Sequence, residues 1–370
     1  MKILILANSD MGLYKFRREL LQRLLKEDNQ IFISLPDGPY IPLLIKMGCV
    51  FLCTPLDRRG TNPRKDLALL CRYAGMMRRI KPDTVLTYTI KPNIYGGIAC
   101  QMHHITYLAN VTGMGTAMEK KGVLSKILLF LYQAALRKAS QIFFQNEENK
   151  RYFDEKGIVR RGRLIPGSGV DLMEHCYEDY PEEDGFTRFL FVGRIMKDKG
   201  IEEFLDCAEQ IGGKYANVCF DLIGEYEEEH YKKKVAVLEK KGRIRYLGVQ
   251  DDVHAFIKTH HAVILPSYHE GLSNVLLEAA ACGRPVLATT VPGCRETYED
   301  GISGIGFLAN DSSALVKAVE KFLKMPYGER RLMGINGRQK AEKEFDREIV
   351  IEAYRQEIYR KRAEESNEYI

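Results

Sequence analysis

The sequence predicts an α/β chain of two doubly wound domains, and three observations carry that prediction. Short apolar strands alternate with longer amphipathic segments, a pattern that builds parallel sheets covered by helices on both faces. The alternation runs twice, from Ile3 to Phe144 and again from Arg188 to Thr289, with a Gly/Pro-containing and then acidic stretch between. At 370 residues, 45% hydrophobic and 28% charged, the chain can bury two full-sized cores.

The elements follow in order. Met1-Lys-Ile-Leu-Ile-Leu-Ala7 turns polar at Asn8-Ser-Asp10, too soon for a secretory h-region, so it reads as a buried first strand. A helix-like segment from Tyr14 to Lys26 follows, then strands at Ile31–Leu35, Val50–Thr54, Thr84–Thr87, Thr106–Leu108 and Ile142–Phe144. Pro166-Gly-Ser-Gly-Val-Asp171 and the acidic Glu174–Gly185 form the linker. The second series comprises Arg188–Gly193, Val218–Ile223, Ile244–Leu247, Ala262–Pro266 and Val286–Thr289. A helical pattern from Glu342 to Ala363 places Phe345, Ile349, Ala353, Tyr354 and Ile358 on one face, and is expected to reach back to the first domain. The expected boundaries are 1–170, 186–341 and 342–370.

Composition narrows the function. The longest apolar run, Ile127 to Leu136, is ten residues interrupted by Gln133, too short to span a bilayer. Nine cysteines without a Cys-x-x-Cys pair point to a reducing cytosol. The net charge of +5 is uneven: residues 1–180 carry 27 Lys and Arg against 17 Asp and Glu, while the remainder carries 28 against 33. The basic half is expected to meet an anionic partner. With no nucleic-acid module or basic–aromatic platform, that partner is not RNA or DNA.

Three constellations carry chemistry. His269-Glu-Gly-Leu-Ser273 follows a buried strand and opens a helix ended by Gly283-Arg-Pro285. Helix amides near Ser273, Asn274 and Val275, at the carboxyl edge of a parallel sheet, would attract phosphate oxygens. Glu278 can accept bonds from ribose hydroxyls and Glu270 from those of a sugar. Upstream, Gly193-Arg-Ile-Met-Lys-Asp-Lys-Gly200 offers Arg194 and Lys199 to two phosphates, without the glycine spacing of a Walker loop. In the first turn, Gly12 would let the backbone approach a diphosphate before a helix starting near Tyr14. Asp251-Asp252 reads as a helix cap. His103-His104 and His260-His261 lack metal-ligand spacing, and no metal site is expected.

Phe191-Val-Gly-Arg-(x4)-Lys-Gly200, Tyr246-Leu-Gly-Val-Gln-Asp-Asp-Val253 and Pro266-Ser-(x2)-Glu-Gly-(x6)-Glu278-Ala-x-Ala-Cys-Gly-x-Pro-Val286 together resemble the family 4 retaining glycosyltransferases of the GT-B fold. That fold has two Rossmann-like domains facing across a cleft, with a C-terminal helix crossing back. Leu13-Tyr-Lys-Phe-Arg17, Thr61-Asn-Pro63, Tyr88-Thr-Ile-Lys-Pro-Asn93 and Asn110-Val-Thr-Gly-Met-Gly115 resemble the branch that builds bacterial capsule, O-antigen and lipid-linked glycans.

The resemblance implies that Arg194 and Lys199 hold the leaving diphosphate, Glu270 the donor sugar and Glu278 the ribose. The backbones of Leu272, Ser273, Asn274 and Val275 would cap phosphates and sugar, and Leu247 and Val249 would flank the base. Ile223-Gly-Glu-Tyr226 departs from the family by lacking a second glycine, and the Asn110-Val-Thr-Gly113 loop lacks the His that many members carry there.

On the acceptor side the candidates are Lys15, Arg17, Lys91, Asn93 and Thr112, with Lys91 and Asn93 assigned to a diphosphate. The segment Met118–Lys138 has an apolar stripe with Lys120, Lys121, Arg137 and Lys138 at its ends. It reads equally as a helix lying on an anionic leaflet or as one facing the core. The expected activity is metal-independent transfer, with retention, of a hexose or N-acetylhexosamine from a UDP-sugar substrate to a polyprenyl-diphosphate-linked saccharide. It needs no cofactor and takes place on the cytosolic membrane face. A soluble acceptor, a UDP-sugar 2-epimerase and a non-catalytic nucleotide-sugar sensor are the alternatives.

Overall fold

Seven strands form the first sheet: β1 (Lys2–Leu6), β2 (Gln30–Leu35), β3 (Val50–Cys53), β4 (Thr84–Tyr88), β5 (Thr106–Val111), β6 (Gln141–Phe144) and β7 (Gly162–Leu164). Their order is β3-β2-β1-β4-β5-β6-β7 and every pairing is parallel. The computed structural model describes residues 1–57, 60, 62–113, 122–159 and 161–367, with the side chains of 123, 124 and 361–367 also left aside. Thr61, Met114, Gly115, Lys120, Lys121 and the start of the Met118 segment lie outside the described residues.

The strands of this sheet are nearly continuous apolar runs because both faces are covered. Ile3, Ile5, Ile31 and Ile33 pack on one side with Leu20, Leu21 and Leu24 of helix Asp10–Lys26. Leu4, Leu6 and Val85 pack on the other with Tyr73, Met76 and Met77 of helix Pro63–Ile80. The closing helix, Arg347–Asn367, joins the first of these cores through Val350, Ile351, Tyr354 and Ile358. Its Arg355 reaches Glu27, and its Tyr354 hydroxyl accepts a 2.6 Å bond from Asn110 of β5.

The second sheet has six strands: β8 (Thr187–Val192), β9 (Val218–Ile223), β10 (Arg245–Tyr246), β11 (Ala262–Leu265), β12 (Val286–Thr289) and β13 (Gly304–Phe307). They run in the order β10-β9-β8-β11-β12-β13, again all parallel. Phe189, Phe191, Phe204 and Phe220 anchor one face, and Leu190, Val263, Leu276 and Cys282 the other.

The chain divides into Met1–Ser168 with Glu348–Ile370, and Gly169–Arg347. The expected single helix over 342–363 is two helices, because Tyr327–Glu344 ends at Phe345 and a new one starts at Arg347. Between them the Phe345 carbonyl accepts from the Val170 amide and the Arg347 amide donates to the Val170 carbonyl, a β-bridge that interrupts the helical ladder. The linker residues Glu178 and Asp179 lie in the second unit, where Arg284, wholly buried, donates to both of their carbonyls.

Candidate functional site

In the second unit, the carboxyl ends of β8 and β11 lie side by side, and three loops meet above them. The first leaves β8 through Gly193 and Arg194 into the single turn Lys197–Lys199. Gly200 then takes φ +70°, and a Cβ there would stand 2.0 Å from the carbonyl oxygen of Pro266. Only glycine lets this turn rest directly on the exit of β11. The second loop, leaving β11, is tied to the first by the Tyr268 amide, which donates to the Asp198 carbonyl at 2.9 Å.

This docking brings Lys199 and Glu270 together. The Lys199 ammonium sits 2.5 Å from Glu270 Oε1, and Ser267 Oγ donates to the same oxygen at 2.8 Å. The two charged side chains are 20% and 13% exposed, so the pair is partly shielded yet reachable. The third loop presses on the Glu270 backbone: Gly293 has φ +82°, and a Cβ would lie 2.6 Å from the Glu270 carbonyl oxygen.

Helix Asn274–Ala281 begins here, with Ser273 as its extended N-cap. The Ser273 amide already donates to the Gly293 carbonyl at 2.8 Å, so it is not one of the available phosphate donors expected from sequence. The first-turn amides of Asn274 and Val275 have no intrahelical acceptor by helix geometry, and Asn274 Oδ1 is buried without a partner. Leu272 is buried and contributes packing. Glu278 is half-buried, and no hydrogen bond or ion pair engages its carboxylate among the described residues. Arg194 is exposed and pairs with Glu227 at 3.2 Å.

At the far side of β9, Leu247 is half-buried with its amide on the Leu222 carbonyl, while Val249 is 66% exposed. Gly224 and Gly248 are joined by a backbone bond of 2.9 Å. Where the family carries a second glycine, Tyr226 packs its ring 5.0 Å from that of Tyr246, whose hydroxyl donates to the Gly224 carbonyl. A tyrosine pair therefore walls this side of the site.

The first unit revises several assignments. Helix Asp10–Lys26 starts four residues before Tyr14, capped by Ser9, whose Oγ accepts from the Gly12 amide at 3.2 Å. Gly12 thus sits inside the first helical turn with its donor spent. Arg17 is only 5% exposed, its guanidinium lying over the rings of Tyr88 and Tyr354 at 5.3 and 5.7 Å. That placement braces the closing helix against β4 and is unsuited to gripping a surface diphosphate. Asn93 is fully buried, accepting from Thr87 at 2.7 Å and donating to the Asn110 carbonyl at 2.8 Å, so both its polar atoms serve the sheet.

Lys91, Lys15 and Thr112 remain partly exposed at or near this edge. Lys91 pairs with Asp66 at 2.7 Å, and Tyr95 donates to the other Asp66 oxygen at 3.0 Å. Lys15 stands 5.9 Å from the Tyr40 ring centre. Sequence reasoning missed Asp66 and Tyr95; the Asn62-Pro63 helix start, one turn before Asp66, was the available signal. Thr89, at φ +73° just past β4, and Asn110, at the end of neighbouring β5, each hold a buried side-chain oxygen without a partner. Such orphaned acceptors at a sheet's carboxyl edge mark a place for a polar ligand or water.

Comparison with known proteins agrees with the two-part architecture. Residues 2–146 match the glycosyl transferase 4-like family, and residues 187–325 match glycosyl transferases group 1. A relative from Campylobacter jejuni, N,N'-diacetylbacillosaminyl-diphospho-undecaprenol alpha-1,3-N-acetylgalactosaminyltransferase, is 24% identical over 88% of this chain and 90% of its own length. The capsular polysaccharide biosynthesis glycosyltransferase CapM of Staphylococcus aureus is 24% identical over 78% and 81%. Among solved structures, Anabaena HepE in complex with UDP and glucose superposes with a TM-score of 0.78 at 18% identity, covering 96% of this chain and 98% of that one. Sucrose-phosphate synthase from Thermosynechococcus elongatus gives 0.78 at 20% identity, covering 98% of each chain. With both units matched by glycosyltransferase models and the whole chain by GT-B structures, the protein belongs to the family 4-like, group 1 glycosyl transferases.

Proposed function

We propose that this glycosyltransferase moves a hexose or N-acetylhexosamine from a UDP-sugar to a saccharide carried on a polyprenyl diphosphate, with retention and without a metal. The observation that carries the donor half is the Lys199–Glu270 pair, held by Ser267 beside the start of helix Asn274–Ala281. Cation, carboxylate and helix amides lie at one sheet edge, the three chemistries a sugar diphosphate needs.

In this reading Lys199, Arg194 and the amides of Asn274 and Val275 take the diphosphate, whose oxygens gain charge as the sugar–phosphate bond breaks. Donors fixed before the reaction stabilise that charge without reorganisation. Glu270 accepts from sugar hydroxyls, and Glu278 from the ribose. The acceptor hydroxyl approaches from the leaving-group face; its oxygen bonds to the anomeric carbon while its proton passes to the departing phosphate, so no protein nucleophile takes part.

The acceptor half rests on Lys91, Lys15 and Thr112, with Asp66 positioning Lys91, and on the relative from Campylobacter, whose name specifies a diphospho-undecaprenol acceptor. Helix Val123–Leu136 exposes Ile127 and Phe130, at 50% and 68%, beside exposed Lys126, Arg137 and Lys138. An apolar face with basic neighbours suits attachment to an anionic leaflet. No helix of the described residues is long and apolar enough to cross a membrane. The test is incubation of the protein with radiolabelled UDP-hexoses or UDP-N-acetylhexosamines and a bacterial lipid extract. Label in a lipid-diphosphate fraction is expected; no label in any lipid fraction overturns the proposal.

A further inference from the structure

The spacing of histidines and cysteines gave no metal set, yet the fold of the second unit gathers one. We propose that His175, His254 and Cys282 form a zinc site at the C-terminal end of helix Asn274–Ala281. His175 closes the turn after Asp171, His254 opens helix His254–Ile257, and Cys282 is the C-cap of helix Asn274–Ala281. One ligand atom from each lies within 4.8 Å of the others.

The surroundings select these atoms. His254 Nε2 is 2.9 Å from a Glu178 carboxylate oxygen, which places the ring proton there and leaves the Nδ1 lone pair facing Cys282 Sγ at 3.0 Å. A carboxylate on the far nitrogen is the arrangement that orients a metal-bound histidine and raises its basicity. The His254 ring stands edge-on to that of His175 at 5.7 Å. His175 is 8% exposed, and its Nδ1 is buried with no hydrogen-bond partner. Two imidazole nitrogens and one thiolate are a donor set suited to zinc, with a fourth position left for water.

The backbone is arranged in advance. Arg284 donates to the carbonyls of Glu178, Asp179, Lys258 and Cys282, so one buried guanidinium holds all three segments. Arg338 joins the carbonyls of His175 and Ala281. In the metal-free protein the Cys282 S–H lies within hydrogen-bond reach of His254 Nδ1. Zinc entry forms the Zn–S bond and releases that proton to solvent. Exposed Cys176 lies 3.9 Å from His254 Nε2, on the nitrogen this site leaves to Glu178, and is not a ligand.

The experiment measures zinc in the reduced, full-length protein by elemental analysis, and then cobalt(II) uptake by the metal-free protein. One equivalent of zinc is expected, with a thiolate-to-cobalt charge-transfer band in the near ultraviolet. Cys282→Ala and His175→Ala should each abolish the band while Cys176→Ala keeps it. Because Cys282 is buried, His175→Ala is the variant that decides should Cys282→Ala fail to fold. Glu178→Gln should weaken binding by roughly 10- to 100-fold. Substoichiometric zinc with no band, binding that survives in His175→Ala, or binding lost in Cys176→Ala would each overturn the assignment.

Discussion

Replacing Lys199 with Met tests the donor half most directly. On the proposed reading the ammonium stabilises charge that develops on the diphosphate, and one such preorganised donor contributes about 3–4 kcal/mol to the barrier, a loss of roughly 10²- to 10³-fold in kcat. The same substitution removes a charge-assisted bond of 2.5 Å from Glu270, 13% exposed, which retains only Ser267 on that oxygen. A bond of that kind contributes about 1.5–3 kcal/mol, much of it the cost of leaving a shielded carboxylate unpaired. Adding Glu270→Gln removes that charge, so the double variant should regain stability while activity stays low or falls further. Single-turnover transfer of label and urea unfolding separate the two effects, and the cycle isolates the coupling. A Lys199→Met enzyme within about threefold of the parent in kcat would refute the assignment.

Four further outcomes follow from the geometry. Gly200→Ala puts a Cβ 2.0 Å from the Pro266 carbonyl at φ +70°, so strain of about 1–3 kcal/mol and a displaced Lys199 turn should lower both melting temperature and transfer rate; unchanged values of both would contradict it. Glu278→Gln should raise KM for the donor nucleotide with little change in kcat, and the opposite split would remove Glu278 from ribose binding. Burial, with Arg188 and Arg330 nearby, lowers the His261 pKa to about 4. The unfolded chain then binds the extra proton, so the stability His261 contributes is complete above pH 6.5 and is lost as pH falls toward 4. His261→Gln should recover about 2 kcal/mol at pH 5, measured by urea midpoints against pH 7, and no pH-dependent difference would exclude this origin. Phe130→Ser should reduce co-sedimentation with anionic vesicles at low salt, and undiminished binding would remove this helix from the proposed membrane attachment.

The loop that carries Glu270 was legible because its information is local. A buried strand, Pro266-Ser267, Glu270-Gly271 and a helix start occupy consecutive positions, and the strand's direction alone fixes which edge they crown. What escaped reading was decided at long range. Strands β7 and β13 are short and glycine-containing, Gly162-Arg-Leu164 and Gly304-Ile-Gly-Phe307, and they pair only because β6 and β12 offer open edges. Arg17 and Asn93 are polar in sequence and buried in structure because Tyr88, Tyr354, Thr87 and Asn110 happen to meet them. The start of helix Asp10–Lys26, by contrast, is encoded locally: Ser9 is a favoured N-cap residue followed by an acidic first turn, and its side chain takes the Gly12 amide. His175, His254 and Cys282 share no spacing rule, and only the packing around Arg284 makes them neighbours.

The Lys199–Glu270 pair also bears on turnover under the proposed mechanism. Without ligand, each charge is the other's solvent, which is how two ions at 20% and 13% exposure are tolerated. A bound UDP-sugar exchanges partners at both ends: the diphosphate takes Lys199, and sugar hydroxyls replace it on Glu270. Once the sugar has left, the nucleoside diphosphate competes for Lys199 against a carboxylate that has lost its hydroxyl donors. Donor is therefore held by two satisfied ions and product by one, a difference that binds substrate in preference to product and eases product release. The coupling requires both residues, so the Glu270→Gln variant should lose discrimination between donor and product as well as rate.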